Sequence, residues 1–347
     1  MSLKRAVILG ASGYTGAEMI RLLLAHPNIE IVALTGHSRA GQAVTDTYPN
    51  FVGQNLPDII KIEDVDWSGV DVAFACLPHG ASQETIADIY EKVPVIIDLS
   101  ADFRLKDAAV YESNYKRSHD NLELLDTAIY GLTEYARDAL KTAKLVACPG
   151  CYPTASLLAL APALQAGHIK TDNIIIDAKS GVTGAGRKAS TGLIFSEVSD
   201  GAHAYGVGVH RHAPEIDQFI TQVTGDESCV SFTPHLIPMN RGMIATCYVT
   251  LKEGVDLAAL RTAYEERYHH ESFIHILPEG QAPQTRHVRG SNHVQIGIFA
   301  DRAAGKAIII SVIDNLMKGS AGQAVQNYNL TQGWDETLGL NIGPLFP

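Results

Sequence analysis

The chain has no apolar run of 18 residues, so no membrane-spanning helix is expected. Cysteines are few: five, an odd number scattered over 347 residues, which does not suit a secreted disulfide framework. Basic residues are in deficit, 27 Lys+Arg against 38 Asp+Glu, and the net charge of −11 argues against a nucleic-acid or anionic-membrane partner. The start of the chain has only a short apolar run after Lys4 and Arg5, too short for the apolar segment of a signal peptide. No internal repeat and no low-complexity linker is present. Against these absences, 46% of the residues are apolar and 19% charged, with a mean hydropathy of +0.03, enough to fill more than one core. The expectation is a soluble, cytoplasmic protein of two domains.

The first hundred residues alternate β-branched runs with amphipathic stretches. Ala6–Leu9, Ile29–Leu34, Val70–Leu77 and Val95–Leu99 read as strands, and Ala17–Ala25 and Ser82–Lys92 as helices. That βαβ order predicts an α/β domain of the Rossmann type, a doubly wound parallel sheet. From Asn173 strand-like runs predominate: Asn173–Asp177, Val230–Thr233, Ile244–Leu251, Val294–Phe299 and Ala307–Val312. They predict a second, α+β domain with a mixed sheet. Asn315–Asn327 reads as a helix that returns to the first domain. The expected division is 1–150 for cofactor binding, completed by 315–347, and 151–314 for catalysis, substrate and oligomerisation.

Gly10-Ala11-Ser12-Gly13-Tyr14-Thr15-Gly16 stands between the first strand and the first helix. Glycines there let the backbone turn sharply and approach a pyrophosphate, which helix N-terminal amides then meet. The alternative is a plain tight turn. A site for NAD usually carries an acid after the second strand; here Thr35-Gly36-His37-Ser38-Arg39 has none, and Ser38 and Arg39 can donate to a 2′-phosphate. NADP is therefore expected.

Cys151 follows Ala147-Cys148-Pro149-Gly150 and precedes Tyr152-Pro153-Thr154-Ala155 and an apolar stretch closed by Gly167. Pro153 suits a first helical turn and Gly167 a helix stop. At a helix N-terminus a thiolate is stabilised by the dipole and free amides, and a thiolate is the nucleophile an acyl carbon calls for. Cys148-x-x-Cys151 also has redox-pair spacing, and Cys148 suits a buried structural role. A zinc site lacks a second pair, since Cys229 and Cys247 stand far apart.

Val209-His210-Arg211-His212-Ala213-Pro214-Glu215-Ile216 reads as the end of a strand and the start of a helix. His212 is the candidate general base, nearest the helix start, with His210 as the alternative. A metal held by His210, His212 and His235 is a weaker reading, and no metal is expected. Ser180-Gly181-Val182-Thr183-Gly184-Ala185-Gly186-Arg187-Lys188 resembles a triphosphate loop, but Arg187 stands where that loop has lysine; it reads instead as an anion cradle. Arg104 and Arg241 are further anion candidates.

Together these segments resemble the N-acetyl-γ-glutamyl-phosphate reductases, the arginine-pathway branch of the semialdehyde dehydrogenase superfamily. Pro149-Gly150-Cys151-Tyr152-Pro153-Thr154-Ala155 carries the likeness, with Gly10–Gly16, Asp98–Leu105, Tyr130–Leu132, Ser180–Lys188, His210–Ile216, Phe232–Pro238 and Asp314–Ala324 in support. Ser320 departs from the usual Ala. The resemblance implies NADPH-dependent reduction of an acyl phosphate through a Cys151 thioester, and a homo-oligomer, dimer or tetramer. Asn315 and Lys318, at the start of the returning helix, are expected to touch the cofactor or the substrate anion; Ser180, Gly181 and Asn315 are assigned to the cofactor, and Arg104, Arg187 and Lys318 to the substrate. The rivals are aspartate-semialdehyde dehydrogenase, the carrier-linked lysine-pathway relative, and a non-catalytic NADP sensor on the same fold.

Overall fold

A computed structural model describes residues 2–346, which divide into two compact units. The first holds the chain to Pro149 together with Ser320–Ile342; the second holds Gly150–Gly319 and the stretch from Gly343. One expectation needs correction. Residues 315–319 belong to the second unit, not the first, because they continue directly from its last strand. The stretch from Gly343 also lies in the second unit, where the Leu345 amide donates to the Arg289 carbonyl at 2.7 Å.

In the first unit the strands are β1 (Lys4–Leu9), β2 (Ile29–Thr35), β3 (Ile59–Ile60), β4 (Val72–Ala75), β5 (Val95–Asp98), β6 (Ile129–Tyr130) and β7 (Leu145–Ala147). They form one parallel sheet in the order β3-β2-β1-β4-β5-β7-β6. β1 and β4 are buried to the last residue at their carboxyl ends, as strands covered on both faces must be. The order reverses between β1 and β4, and at such a switch point an open α/β sheet leaves a crevice for a ligand. Helix Tyr14–Leu24 follows β1 and buries Met19, Ile20, Leu22 and Leu23. The returning helix, Gly322–Thr331, is held by Thr133 Oγ1 donating to Asn327 Oδ1 at 2.7 Å and Asn327 Nδ2 donating to the Gly131 carbonyl at 2.8 Å. A π-type turn, Met317–Ala321, leads into it, so the helix begins later than the expected Asn315.

In the second unit the strands are β8 (Ile175–Gly181), β9 (His203–Ala204), β10 (Ser231–Ile237), β11 (Met243–Thr250), β12 (Ile274–Ile276), β13 (Val294–Ala300) and β14 (Lys306–Ile313). They form a mixed sheet in the order β12-β13-β14-β11-β8-β10-β9. Helix Cys151–Gln165 is buried along almost its whole length, from Tyr152 to Leu164. Pro162 lies inside it and has no N–H for the Leu158 carbonyl four residues back. The phenol of Tyr268, from helix Leu257–Tyr268, donates to that carbonyl at 2.7 Å, so the buried acceptor keeps a partner. Gly167, just past the helix end, has φ +65°, the left-handed stop its position called for.

Two local readings change. β8 runs on to Gly181, so Ser180 and Gly181 end a strand, with Ser180 buried, and the loop proper starts at Val182. No strand precedes His210 directly; residues 206–212 are turns, because Gly206 and Gly208 take φ +57° and +71°.

Candidate active site

In the first unit the glycine loop sits at the end of β1. Gly10 has φ +78°, and a side chain there would collide with the Cys76 carbonyl at the end of β4; one at Gly16 would collide with the Gly10 carbonyl. The loop is thereby drawn tight across the β1–β4 switch point. Its neighbours also fix it: the Ala11 amide donates to Thr35 O at 2.8 Å and Tyr48 Oη to Ser12 O at 2.7 Å. Gly13 occupies the N-cap of helix Tyr14–Leu24 without a side-chain cap, and the first turn, Tyr14, Thr15 and Gly16 included, carries no acid. A row of amides with no competing carboxylate fits an anionic pyrophosphate. After β2, His37 and Ser38 are exposed, and Arg39 is half-buried with Nη1 donating to Gln42 Oε1 at 3.2 Å. No acid stands there, and Ser38 and Arg39 are both donors.

In the second unit Cys151 is the first residue of its helix, with Gly150 as an extended N-cap (φ −64°, ψ 158°) lacking any side-chain cap. The Gly150 carbonyl accepts from the Thr154 amide and Oγ1, both at 2.9 Å, and the Gly150 amide donates to Glu215 Oε1 at 2.8 Å. Glu215 lies in helix Ala213–Thr224, whose N-cap is His212. His212 Nε2 rests against Gly150: any side chain at 150 would collide with it. Thus one buried carboxylate ties the His212 helix to the residue preceding Cys151. Sequence reasoning passed over Glu215. The signal was there: an acid three residues after the N-cap position, the spacing of a first-turn acid.

Around the two helix starts is an aromatic collar. The His210 and His212 rings meet edge to face at 4.9 Å, and Tyr152 contacts both at 5.7 and 5.9 Å. His210 Nδ1 accepts from the His212 amide at 3.2 Å, which leaves its proton on Nε2 when neutral. Burial, with Arg211 beside it, lowers the His210 pKa to about 4. Tyr205 Oη donates to Tyr152 Oη at 3.1 Å, and Tyr152 Oη to His235 O at 3.2 Å. Burial pushes the Tyr205 phenol up to about 12 and Tyr152 higher still, so both stay protonated.

The opposite side of Cys151 is backbone. A methyl on Gly319 would lie 2.9 Å from Cys151 Cβ. Gly319 belongs to the turn after β14, which also carries the buried Asn315 and Lys318. Asn315 Oδ1 accepts from the Gly242 amide at 2.8 Å and Nδ2 donates to Thr183 Oγ1 at 3.0 Å, so Asn315 joins the loop after β8 to that before β11. The second unit therefore gathers Cys151, His212, Ser180, Gly181, Asn315 and Lys318, together with Glu215 and Tyr152.

The arginines separate. Arg104, in the first unit, is buried and gives Nε to Cys148 O at 2.7 Å and one Nη to Leu99 O at 3.0 Å. Arg187 is exposed beyond Gly186. Arg241 is bound to Asp314, Nε to Oδ2 at 3.0 Å. His235 faces Asp177, 3.2 Å from Nδ1 to Oδ1. Among the described residues no three His, Cys, Asp or Glu side chains are grouped to hold a metal. Cys148 is buried and accepts from Asn327 Nδ2 at 3.6 Å, and no disulfide is present.

Two family models cover nearly all of this geometry. The semialdehyde dehydrogenase NAD-binding domain matches residues 5–143, and the semialdehyde dehydrogenase dimerisation domain matches 151–315. The N-acetyl-gamma-glutamyl-phosphate reductase of Rhodospirillum rubrum is 52% identical over 344 residues, 98% of either chain. The probable chloroplastic N-acetyl-gamma-glutamyl-phosphate reductase of Arabidopsis thaliana is 49% identical, spanning 99% of this chain and 85% of that one. In fold the chain is similar to aspartate semialdehyde dehydrogenase II of Vibrio cholerae, with a TM-score of 0.73 at 19% identity, covering 96% of this chain and 99% of that one. It is also similar to the aspartate semialdehyde dehydrogenase of Candida albicans crystallised with NADP, with a TM-score of 0.66 at 17% identity, covering 95% and 99%. With both halves matched, and relatives of this identity running end to end, the chain belongs to the semialdehyde dehydrogenase family, in the group of the N-acetyl-gamma-glutamyl-phosphate reductases.

Proposed function

We propose that this enzyme reduces N-acetyl-γ-glutamyl phosphate to the 5-semialdehyde, with NADPH as reductant and release of phosphate, a step of arginine biosynthesis in the cytoplasm. The observation that carries the reading is Cys151 at a bare helix start with His212 Nε2 against its N-cap. His212 takes the thiol proton, and the thiolate attacks the acyl carbon. The tetrahedral oxyanion is met by amides at the start of the Cys151 helix, and its collapse expels phosphate and leaves a Cys151 thioester. Gly10, Ser12, Gly13, Tyr14, Thr15 and Gly16 would hold NADPH, with Ser38 and Arg39 as donors for its 2′-phosphate, and the cofactor would supply the hydride that reduces the thioester carbon. When the acyl–sulfur bond breaks, His212 returns the proton to Cys151.

His212 is favoured over His210 because the His210 Nδ1 is engaged by the His212 amide and its pKa is far below neutrality. Ser180, Gly181 and Asn315 are assigned to the nicotinamide end of the cofactor, and Arg104, Arg187 and Lys318 to the substrate anions. The chain works as a homo-oligomer, dimer or tetramer, a reading that the dimerisation-domain match supports. Cytoplasmic residence accords with a thiol that must stay reduced.

NADPH oxidation is to be followed with N-acetyl-γ-glutamyl phosphate and with aspartyl phosphate in turn. Turnover confined to the acetylated substrate supports the reading; turnover with aspartyl phosphate alone overturns it. Cys151→Ala should abolish turnover and keep NADPH binding, while Cys148→Ala keeps most activity. Equal loss in both would point to a redox pair instead.

A further inference from the structure

β14 ends at Ile313, and the residue that follows it is a buried carboxylate. Asp314 is fully buried, and its carboxylate accepts from one guanidinium and three backbone amides. Oδ2 accepts from the Gly290 amide at 2.7 Å and is ion-paired with Arg241 Nε at 3.0 Å. Oδ1 accepts from Arg241 Nη2 at 3.2 Å and from the Leu316 and Met317 amides at 2.9 and 3.2 Å. The Asp314 carbonyl then accepts from the Gly319 amide at 3.1 Å, an i to i+5 bond of the π type. Side chain and backbone of one residue thus hold both ends of the turn 314–319. The far end of that turn is the Gly319 backbone, which leaves no room for a methyl beside Cys151 Cβ.

We infer that Asp314 is a positioning residue for the Cys151 nucleophile, acting through Arg241 and the turn that seats Gly319 against Cys151. The inference rests on the reading of Cys151 as nucleophile. A carboxylate is needed because a neutral amide has one acceptor oxygen, whereas here two oxygens share a guanidinium fork and three amides. Arg241 is correspondingly a partner of Asp314 rather than of a substrate anion. Removing either charge leaves the other without its buried partner and lets the turn drift. A drift of about 1 Å at a reacting group costs on the order of a hundredfold in rate.

Asp314→Asn and Arg241→Gln are to be compared, in the full chain, with Tyr268→Phe, which weakens the same unit without touching the turn. The rate of Cys151 alkylation by iodoacetamide, without substrate, is measured on folded protein beside kcat and KM. For Asp314→Asn the expected result is a fall of about ten- to a hundredfold in alkylation rate and in kcat, with KM changed much less. Tyr268→Phe should lower the melting temperature and leave both rates near wild type. Folded Asp314→Asn with wild-type alkylation and kcat overturns the inference, as does an equal fall in Tyr268→Phe. If Asp314→Asn does not fold, Arg241→Gln carries the same expectations and the same refutation. A Cys151→Ala enzyme that retains turnover defeats the nucleophile reading separately, since alkylation reports on position alone.

Discussion

Glu215 Oε1 accepts the Gly150 amide at 2.8 Å, from one residue past the first turn's Pro214 on the helix that His212 caps. The bond joins the elements carrying the proposed base and the proposed nucleophile, and it is buried, with Glu215 1% exposed.

Glu215→Ala removes the acceptor and leaves a buried N–H without it, a loss of about 1–3 kcal/mol. Chemical denaturation should show that loss, and kcat should fall because the two helix starts are no longer tied. Glu215→Gln, which keeps an acceptor oxygen, should recover most of the stability. Equal stability of the Ala variant and the wild type would mean that the bond is not made in solution.

His212→Asn should lower kcat by about 10²–10⁴, the range for removing a general acid–base group. His210→Asn should lower it far less. The pH dependence separates the two further. Burial lowers the His210 pKa to about 4 in the folded protein, against about 6.5 for a free imidazole, so the unfolded chain takes up the proton first. Its contribution to stability is therefore complete above about 6.5 and is lost as the pH falls from there toward 4. His210→Asn should flatten the decline of stability across that window; an unchanged slope would show that the ring is not buried as described.

Arg39→Ala should raise KM for NADPH by about ten- to a hundredfold, the worth of a charged hydrogen bond of about 1.5–3 kcal/mol, and leave KM for NADH nearly constant. Steady-state kinetics with both cofactors tests this. An unchanged preference would move the 2′-phosphate contact away from the end of β2.

Tyr268→Phe leaves the Leu158 carbonyl, already deprived of a helical N–H by Pro162, without the phenol. The expected loss is about 1–3 kcal/mol, read by thermal or denaturant unfolding, with turnover retained. If Pro162→Ala were made in the Tyr268→Phe background, the restored N–H should offset part of that loss.

The parallel sheet, the glycine loop and the helix start at Cys151 were legible because each is a local matter. Strand and helix periods, glycines that need positive φ, and a proline in a first turn act over a few neighbouring residues, and no distant partner is required to read them. The same locality explains the errors. The strand placed before His210 failed because Gly206 and Gly208 break the chain there, while β8 ran on to Gly181 because its partners β10 and β11 continue to pair with it. What tertiary structure alone decided is which side chains meet. Glu215 reaches Gly150 across 65 residues, Arg241 reaches Asp314 across 73, and Gly319 lies against Cys151. Each contact joins segments remote along the chain, and a buried polar group takes its role from the partner that folding brings to it. By itself the sequence determined the two folds and the kinds of chemistry on offer. The preference for His212 over His210 came from the sequence, as nearness to the helix start, whereas the conversion of Arg241 from an anion candidate into the partner of a buried carboxylate came from long-range packing. A residue's neighbours along the chain do not specify its neighbours in space.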